Sequence, residues 1–203
     1  MARSPRSDAE VKIIRGRILD AAARVFSRHG VSGVTMDQIA KESGYSSASL
    51  YNYFSSRSAV VLALVDRSVQ QLLSVVETSL PASLTPEQRL ESILLRFLQV
   101  SIDHQWLVST LMNQVLAEES AGEVGARYQA VHGRLMSALR EEVAKLTWIP
   151  KEQVPRLTFH FAGMIRTESF AWQRVGVPED LTALTSLLMT YWLGGARAVA
   201  ETA

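Results

Sequence analysis

The chain has 203 residues, 47% of them hydrophobic and 20% charged, a composition typical of a soluble globular protein with a sizeable core. It has no cysteine, which excludes disulfides, thiolate metal sites and a cysteine nucleophile. Residues 1–60 carry nine Lys/Arg against five Asp/Glu, or +4, and residues 61–203 carry twelve against fifteen, or −3. This uneven division is compatible with chance, or with a polyanion-binding module joined to a second unit.

The start of the chain predicts a protein that stays in the cytoplasm. The segment MARSPRSDAEVKIIRGR is polar and basic and lacks the apolar core of a signal peptide. The longest purely apolar run, Ala59 to Val65, is far shorter than the roughly 20 residues that cross a membrane. We therefore expect cytoplasmic localisation and no membrane partner.

The hydrophobic periodicity predicts an all-α protein throughout. Thr35 with Gln38, and Thr85 with Gln88, form capping-box patterns that open helices, and Gly44 is a stop signal. No window shows the alternation of a strand. We predict helices, in chain order, over residues 11–29, 35–43, 46–54, 58–79, 85–103, 105–119, 125–147, 155–175 and 179–200.

Two short predicted helices joined by a turn at Gly44 describe a helix-turn-helix. On a helical wheel, the small and hydroxylated side chains of the second helix share one face, while Leu50 and Phe54 lie on the other. Small residues let a backbone approach base edges, which serine and alanine side chains can contact. A plain surface helix with solvated serines is the alternative, but the capped helix and glycine turn favour DNA reading.

Residues 31–60, VSGVTMDQIAKESGYSSASLYNYFSSRSAV, resemble the signature of the TetR family of bacterial transcriptional regulators. The matching elements are Val34-Thr35, Ile39-Ala40, Gly44, the small residues Ser46 to Ser49, Leu50-Tyr51-Asn52-Tyr53-Phe54, and Arg57. Two positions depart from the family pattern. Tyr45 stands where a small aliphatic residue is usual, and Arg57 replaces the commoner lysine.

The resemblance implies two sets of DNA contacts. The residues at phosphate-contacting positions are Thr35, Tyr51, Tyr53 and Arg57. The base-facing residues are Ser46, Ser47, Ala48, Ser49 and Asn52. Tyr45 either brings a further hydroxyl to the DNA backbone or fills space, and we expect a phosphate contact.

The resemblance also implies a DNA-binding domain over residues 1–57 and a domain for effector binding and dimerisation over residues 58–203. The predicted dimer pairs helices 155–175 and 179–200 with their symmetry mates, through Leu184, Leu188, Tyr191, Trp192 and Gly195. Candidate pocket residues are Phe97, Trp106, Met112, Phe159, Met164, Glu168 and Phe170. An aromatic residue or methionine at helical spacing is more often part of a plain core, and Glu168 is equally suited to an ion pair with Arg166 or Arg134.

Catalytic and metal sites find little support. The four histidines, His29, His104, His132 and His160, share no ligand-like spacing, and no HExxH, P-loop or GxSxG motif occurs. We therefore expect no catalytic residue, no metal and no cofactor.

The sequence thus predicts a homodimeric repressor that binds a palindromic operator in double-stranded DNA and is released by a small, largely apolar ligand. Three alternatives stay open. The protein is an activator or a ligand-independent regulator, a helical adaptor that does not bind DNA, or a small all-α enzyme built around Glu168 and His160.

Overall fold

The computed structural model describes residues 7–31, 33–103 and 123–202. Within these ranges the chain forms eight α-helices and no β-strand, which confirms the all-α prediction. The helices are α1 (Asp8–His29), α2 (Met36–Ser43), α3 (Ser47–Tyr51), α4 (Arg57–Glu77), α5 (Pro86–Asp103), α6 (Glu123–Val143), α7 (Val154–Val175) and α8 (Leu181–Glu201). The helix predicted over 105–119 lies outside the described residues.

The helix starts follow from local hydrogen bonds that satisfy otherwise unpaired backbone N–H groups. At α1, the Ser7 N–H donates to the Glu10 carboxylate at 2.8 Å, and the Glu10 N–H donates to Ser7 Oγ at 3.3 Å. At α5, the Thr85 N–H donates to Gln88 Oε1 at 3.0 Å, and the Gln88 N–H donates to Thr85 Oγ1 at 3.2 Å. The capping box predicted at Thr85 is confirmed.

A first hydrophobic core joins α1, α2, α3 and most of α4. Its most deeply buried large side chains are Ile18, Phe26, Ile39, Leu50, Leu64 and Leu73. The core continues along α4 as far as Leu73 and includes Val131 from α6. The helix-turn-helix is therefore packed on α4 as well as on α1.

A second core lies between α5, α6, α7 and α8. It contains Leu94, Leu98, Val143, Phe161 and Trp192. The rings of Phe161 and Trp192 meet edge to face, with centroids 5.2 Å apart and planes at 80°. Val75, near the end of α4, also belongs to this core, so α4 contributes to both. The proposed division at residues 57 and 58 falls where this shared helix begins.

Among the described helices, α4 is long and apolar enough to cross a membrane by length and composition. However, 44% of the most apolar 18-residue stretch of α4 is buried in the protein, where Val60, Leu64 and Val69 face the first core. The core helix of a soluble protein gives the same signal, so this is weak evidence for a membrane span.

A bidentate ion pair fixes α5 against α6. Arg89 Nε and Nη2 each donate to the Glu142 carboxylate at 2.9 Å, and both side chains are largely buried. The Arg89 hydrogen bonds lower the pKa of Glu142, because they stabilise the ionised carboxylate.

Candidate nucleic-acid interface

The turn between α2 and α3 has the geometry of a helix-turn-helix. Thr35 caps α2, since its Oγ1 accepts the Gln38 N–H at 3.3 Å while Gln38 Oε1 accepts the Thr35 N–H at 2.8 Å. Gly44 ends α2 in the left-handed conformation, with φ 75°, which favours glycine over residues with a Cβ. Both sequence predictions are confirmed, and α3 begins three residues later, at Ser47.

The helix α3 is shorter than predicted, spanning Ser47–Tyr51 rather than 46–54. Ser46 is its N-cap, and its Oγ accepts the Ser49 N–H at 3.2 Å. Leu50 and Phe54 are almost fully buried in the first core, as expected of the residues that hold the helix. Two buried anchors on one side thus orient the remaining side chains of α3 outward.

The outward side of α3 carries small and polar side chains. Ser46, Ala48, Tyr51 and Asn52 are exposed, and Tyr51 retains 53% of its accessible surface. Ser47 and Ser49 are partly exposed. The predicted base-facing residues therefore lie together at the surface of the helix-turn-helix.

Tyr53 does not belong to that surface. Only 9% of it is exposed, and its hydroxyl oxygen is buried. Because α3 ends at Tyr51, the helical wheel no longer describes the direction of Tyr53, whose N–H bonds to the Leu50 carbonyl at 2.9 Å. This corrects the expectation that Tyr53 contacts a phosphate.

Tyr45 is partly buried and packs against the first core. Its ring lies 6.4 Å from that of Tyr53, measured between centroids, with the planes inclined at 55°. Of the two roles considered for Tyr45, this arrangement favours filling space beside Tyr53.

Arg57, the first residue of α4, also differs from expectation. Its Nη1 donates to the backbone carbonyls of Val31 and Val34, at 2.9 and 3.3 Å, and the side chain is partly buried. The guanidinium therefore ties the start of α4 to the loop that precedes α2. In this conformation Arg57 holds the protein chain rather than extending toward a phosphate.

Several other basic side chains among residues 1–60 also contact other groups of the protein. Arg24 and Arg28 of α1 both bind the Glu42 carboxylate of α2, and the Arg24 hydrogen bond is the largest cause of the lowered pKa of Glu42. Arg15 lies over the Phe54 ring, 4.1 Å from its centroid, and donates to the Tyr53 carbonyl. Part of the positive charge therefore stabilises the fold.

One pair of residues was missed by sequence reasoning. The Ser47 hydroxyl donates to the Asp37 carboxylate, which joins the first turn of α2 to the first residue of α3. Asp37 is exposed. The only sequence signal was an acidic residue in the first turn of a helix, which the helix dipole alone explains.

The predicted effector residues are only partly brought together. Phe97 is buried in the second core and Met164 packs against it, while Glu168 is partly buried. Phe159 and Phe170 are 65% and 39% exposed, so the expectation that they line an internal pocket is corrected. The remaining two predicted residues, Trp106 and Met112, lie outside the described residues.

The predicted dimer residues divide between two faces of α8. Tyr191 and Gly195 are exposed, and Leu184 is partly buried against the second core. Leu188 and Trp192 are buried within their own subunit, where Trp192 Nε1 donates to the Leu157 carbonyl at 3.1 Å. The expectation that these two face a partner is corrected.

Comparisons with known proteins agree with this geometry. The family described as bacterial regulatory proteins, tetR family, matches residues 18–64, which include α2, α3 and the start of α4. An uncharacterized HTH-type transcriptional regulator of Mycobacterium tuberculosis is 36% identical over 84 residues. That alignment covers 41% of this chain and 42% of the relative, so the likeness spans less than half of either protein.

Similarity to solved structures extends over nearly the whole chain and concerns the fold. A TetR-like transcriptional regulator from Rhodococcus sp. RHA1 superimposes with a TM-score of 0.73 at 22% identity, covering 95% of this chain and 98% of that one. The transcriptional regulator FadR from Bacillus subtilis, solved in complex with stearoyl-CoA, gives a TM-score of 0.67 at 19% identity. That match covers 89% of this chain and 98% of FadR. Residues 18–64 therefore carry the helix-turn-helix domain of the TetR family, and the proteins that this chain resembles are described as transcriptional regulators.

Proposed function

We propose that this protein is a homodimeric repressor that places α3 in the major groove of a palindromic operator. The observation that carries the proposal is the outward face of α3, where small and polar side chains stand on a helix anchored by buried Leu50 and Phe54. A short side chain such as Ala48 leaves room for the helix backbone to approach the bases. In this arrangement the side chains that face base edges are those of Ser46, Ser47, Ala48, Ser49 and Asn52.

The phosphate contacts that remain are Thr35 and Tyr51. Both are exposed, and Tyr51 carries a hydroxyl suited to a phosphate oxygen. Such contacts fix the position of the protein along the duplex without reading its sequence. Tyr45 contributes by supporting the neighbouring Tyr53 ring rather than by reaching DNA.

Dimerisation is supported by the apolar surface of the last two helices. Of the nine large hydrophobic side chains exposed among the described residues, seven lie on α7, on α8 or between them. On α8, Leu187, Tyr191, Gly195 and Val199 follow at four-residue intervals, so they form one exposed stripe. Contiguous exposed apolar surface marks an interaction site, and two copies pairing here would bury it.

A symmetric dimer accounts for the proposed palindrome. Two copies of α3 related by a two-fold axis read two identical half-sites, whose centres are about 34–36 Å apart when successive major grooves are used. The shared helix α4 connects the helix-turn-helix to the second core. A change in packing at that core would alter the distance between the two α3 helices of the dimer.

The proposed effector is a small, largely apolar ligand held by the domain over residues 58–203. Support comes from the apolar surroundings of Phe97 and Met164, and from the similar fold of a FadR that binds stearoyl-CoA. Glu168 is partly buried and lies four residues after Met164 on α7, about one helical turn away. Ligand binding releases DNA only if the ligand prefers a conformation in which the distance between the two α3 helices no longer matches successive major grooves. We place the protein in the cytoplasm, where such a ligand and DNA meet.

The experiment is a gel shift with purified protein and duplexes from upstream of its own and neighbouring genes, repeated with acyl-CoA esters of increasing chain length. We expect a shifted band that one apolar ligand class abolishes, and reporter transcription that rises when the gene is deleted. Binding that no ligand alters would contradict the release mechanism, and transcription that falls on deletion would identify an activator.

A further inference from the structure

The hydrogen bond between Asp37 and Ser47 links the two helices of the helix-turn-helix through side chains at its surface. The Ser47 hydroxyl is the donor and the Asp37 carboxylate is the acceptor. Asp37 lies in the first turn of α2, and Ser47 begins α3, the proposed reading helix. The pair therefore lies beside the base-facing residues Ser46 and Ala48.

The chemistry of this bond restricts what the pair can offer to DNA. An ionised carboxylate only accepts hydrogen bonds, and a serine hydroxyl has a single proton. That proton is already given to Asp37, so Ser47 retains lone pairs and no donor. The Asp37–Ser47 pair is therefore a cluster of acceptors with one negative charge.

A carboxylate in this position is unfavourable for affinity, because DNA phosphates repel it. Its effect on discrimination is favourable. In the major groove, cytosine N4 and adenine N6 are donors, whereas guanine O6 and N7 and thymine O4 are acceptors. Hydrogen-bond acceptors on the protein attract the amines of cytosine and adenine. The same acceptors repel the oxygen and nitrogen acceptors of guanine and thymine, because both sides carry partial negative charge.

We propose that Asp37 and Ser47 together determine specificity, selecting a base with an exocyclic amine, cytosine or adenine, at one position of each half-site. This inference rests on the proposed DNA-binding function and names residues that read the operator. Asp37 acts as the acceptor for the amine, and Ser47 both orients that carboxylate and adds its own lone pairs.

The test is selection from a library of palindromic duplexes, randomised across both half-sites, by wild type, Asp37→Asn and Ser47→Ala at one fixed salt concentration. Wild type is expected to prefer cytosine or adenine at one half-site position by about ten- to a hundredfold. Asp37→Asn supplies amide donors in the same shape, so it should accept guanine or thymine there and bind non-specific DNA more tightly. Ser47→Ala should weaken the preference at that same position.

Glu141→Gln is the matched control, because it removes one exposed negative charge from α6, outside the helix-turn-helix. It should select the same sequences as wild type, and all variants should keep the far-UV circular dichroism of the wild-type fold. The inference is overturned if Asp37→Asn and Ser47→Ala keep every wild-type preference, or lose affinity equally for all sequences. If wild type itself selects no sequence, the proposed function fails, and this inference with it.

Discussion

Arg57 shows how a basic residue expected to contact a phosphate can take a different local role. A guanidinium presents several N–H donors in a rigid plane, so it can serve two carbonyl groups of a loop at once. Here those carbonyls belong to Val31 and Val34, and the contact fixes the loop that leads into α2. A lysine at this position would offer a single charged nitrogen on a flexible stem.

The salt dependence of DNA binding tests this role of Arg57. Each phosphate contact by a charged side chain adds about 0.9 to the slope of log affinity against log salt on duplex DNA. We predict that Arg57→Ala leaves this slope unchanged and lowers the free energy of unfolding by about 1–3 kcal/mol, because two hydrogen bonds to a charged donor are lost. Affinity titrations at four salt concentrations, with thermal unfolding alongside, measure both quantities.

Arg57→Lys serves as the comparison, since it keeps the positive charge but replaces the several N–H donors of the planar guanidinium with a single ammonium group. It should resemble Arg57→Ala in stability and wild type in slope. A slope that falls by about one in Arg57→Ala alone would assign Arg57 to a phosphate after all.

Sequence reasoning located the caps of the helix-turn-helix but not the direction of every side chain. Thr35 and Gly44 could be predicted, because capping and left-handed backbone depend on residues close in sequence. The direction of Tyr53 could not, since it depends on where α3 ends, and a five-residue helix offers too little periodicity to show that. The Asp37–Ser47 bond joins residues ten apart in sequence and left no pattern in it.

At the scale of elements, α8 illustrates the limit of an apolar pattern. Its apolar band is so broad that Leu188 and Tyr191 both fit a buried face. The structure buries Leu188 and Trp192 in the subunit and leaves the stripe through Leu187 and Tyr191 exposed. The sequence predicted an interaction helix, but not which half of the band its own subunit covers.

Substitutions at two adjacent residues of α8 are therefore expected to affect different properties, the oligomeric state in one case and the stability of the subunit in the other. Tyr191, 67% exposed, is placed at the proposed dimer interface, so Tyr191→Glu should give monomers in analytical ultracentrifugation with unchanged helicity. Trp192 is buried, and Trp192→Ala should lower the free energy of unfolding by about 3–5 kcal/mol, because it leaves a cavity. A Tyr191→Glu protein that stays dimeric would place the interface elsewhere.

At the scale of the whole molecule, two helices, α4 and α6, contribute side chains to both cores. α4 carries Leu64 in the first core and Val75 in the second, and the Arg67–Asp20 ion pair, at 2.7 Å, ties it to α1. On its other side, Arg134 of α6 binds Glu77 near the end of α4. A displacement of α6 would therefore reach both α4 and the first core, to which Val131 belongs.

The order and class of the helices could be predicted from the sequence, because periodicity and caps are local. The packing of α6 on α4 could not, since it brings together segments more than fifty residues apart. This contact is the physical basis for the proposed coupling between the effector domain and the DNA-binding head.

The most direct test of the account is the affinity of the protein for the operator that it is proposed to bind, when α3 is altered at Ala48. Ala48→Glu adds a negative charge at the exposed face of α3, and Ala82→Glu adds the same charge to the exposed loop between α4 and α5. We predict that Ala48→Glu loses at least about tenfold in affinity by fluorescence anisotropy, because the carboxylate meets DNA phosphates, while Ala82→Glu binds like wild type. Equal affinities for the two variants would contradict the claim that this face of α3 enters the groove.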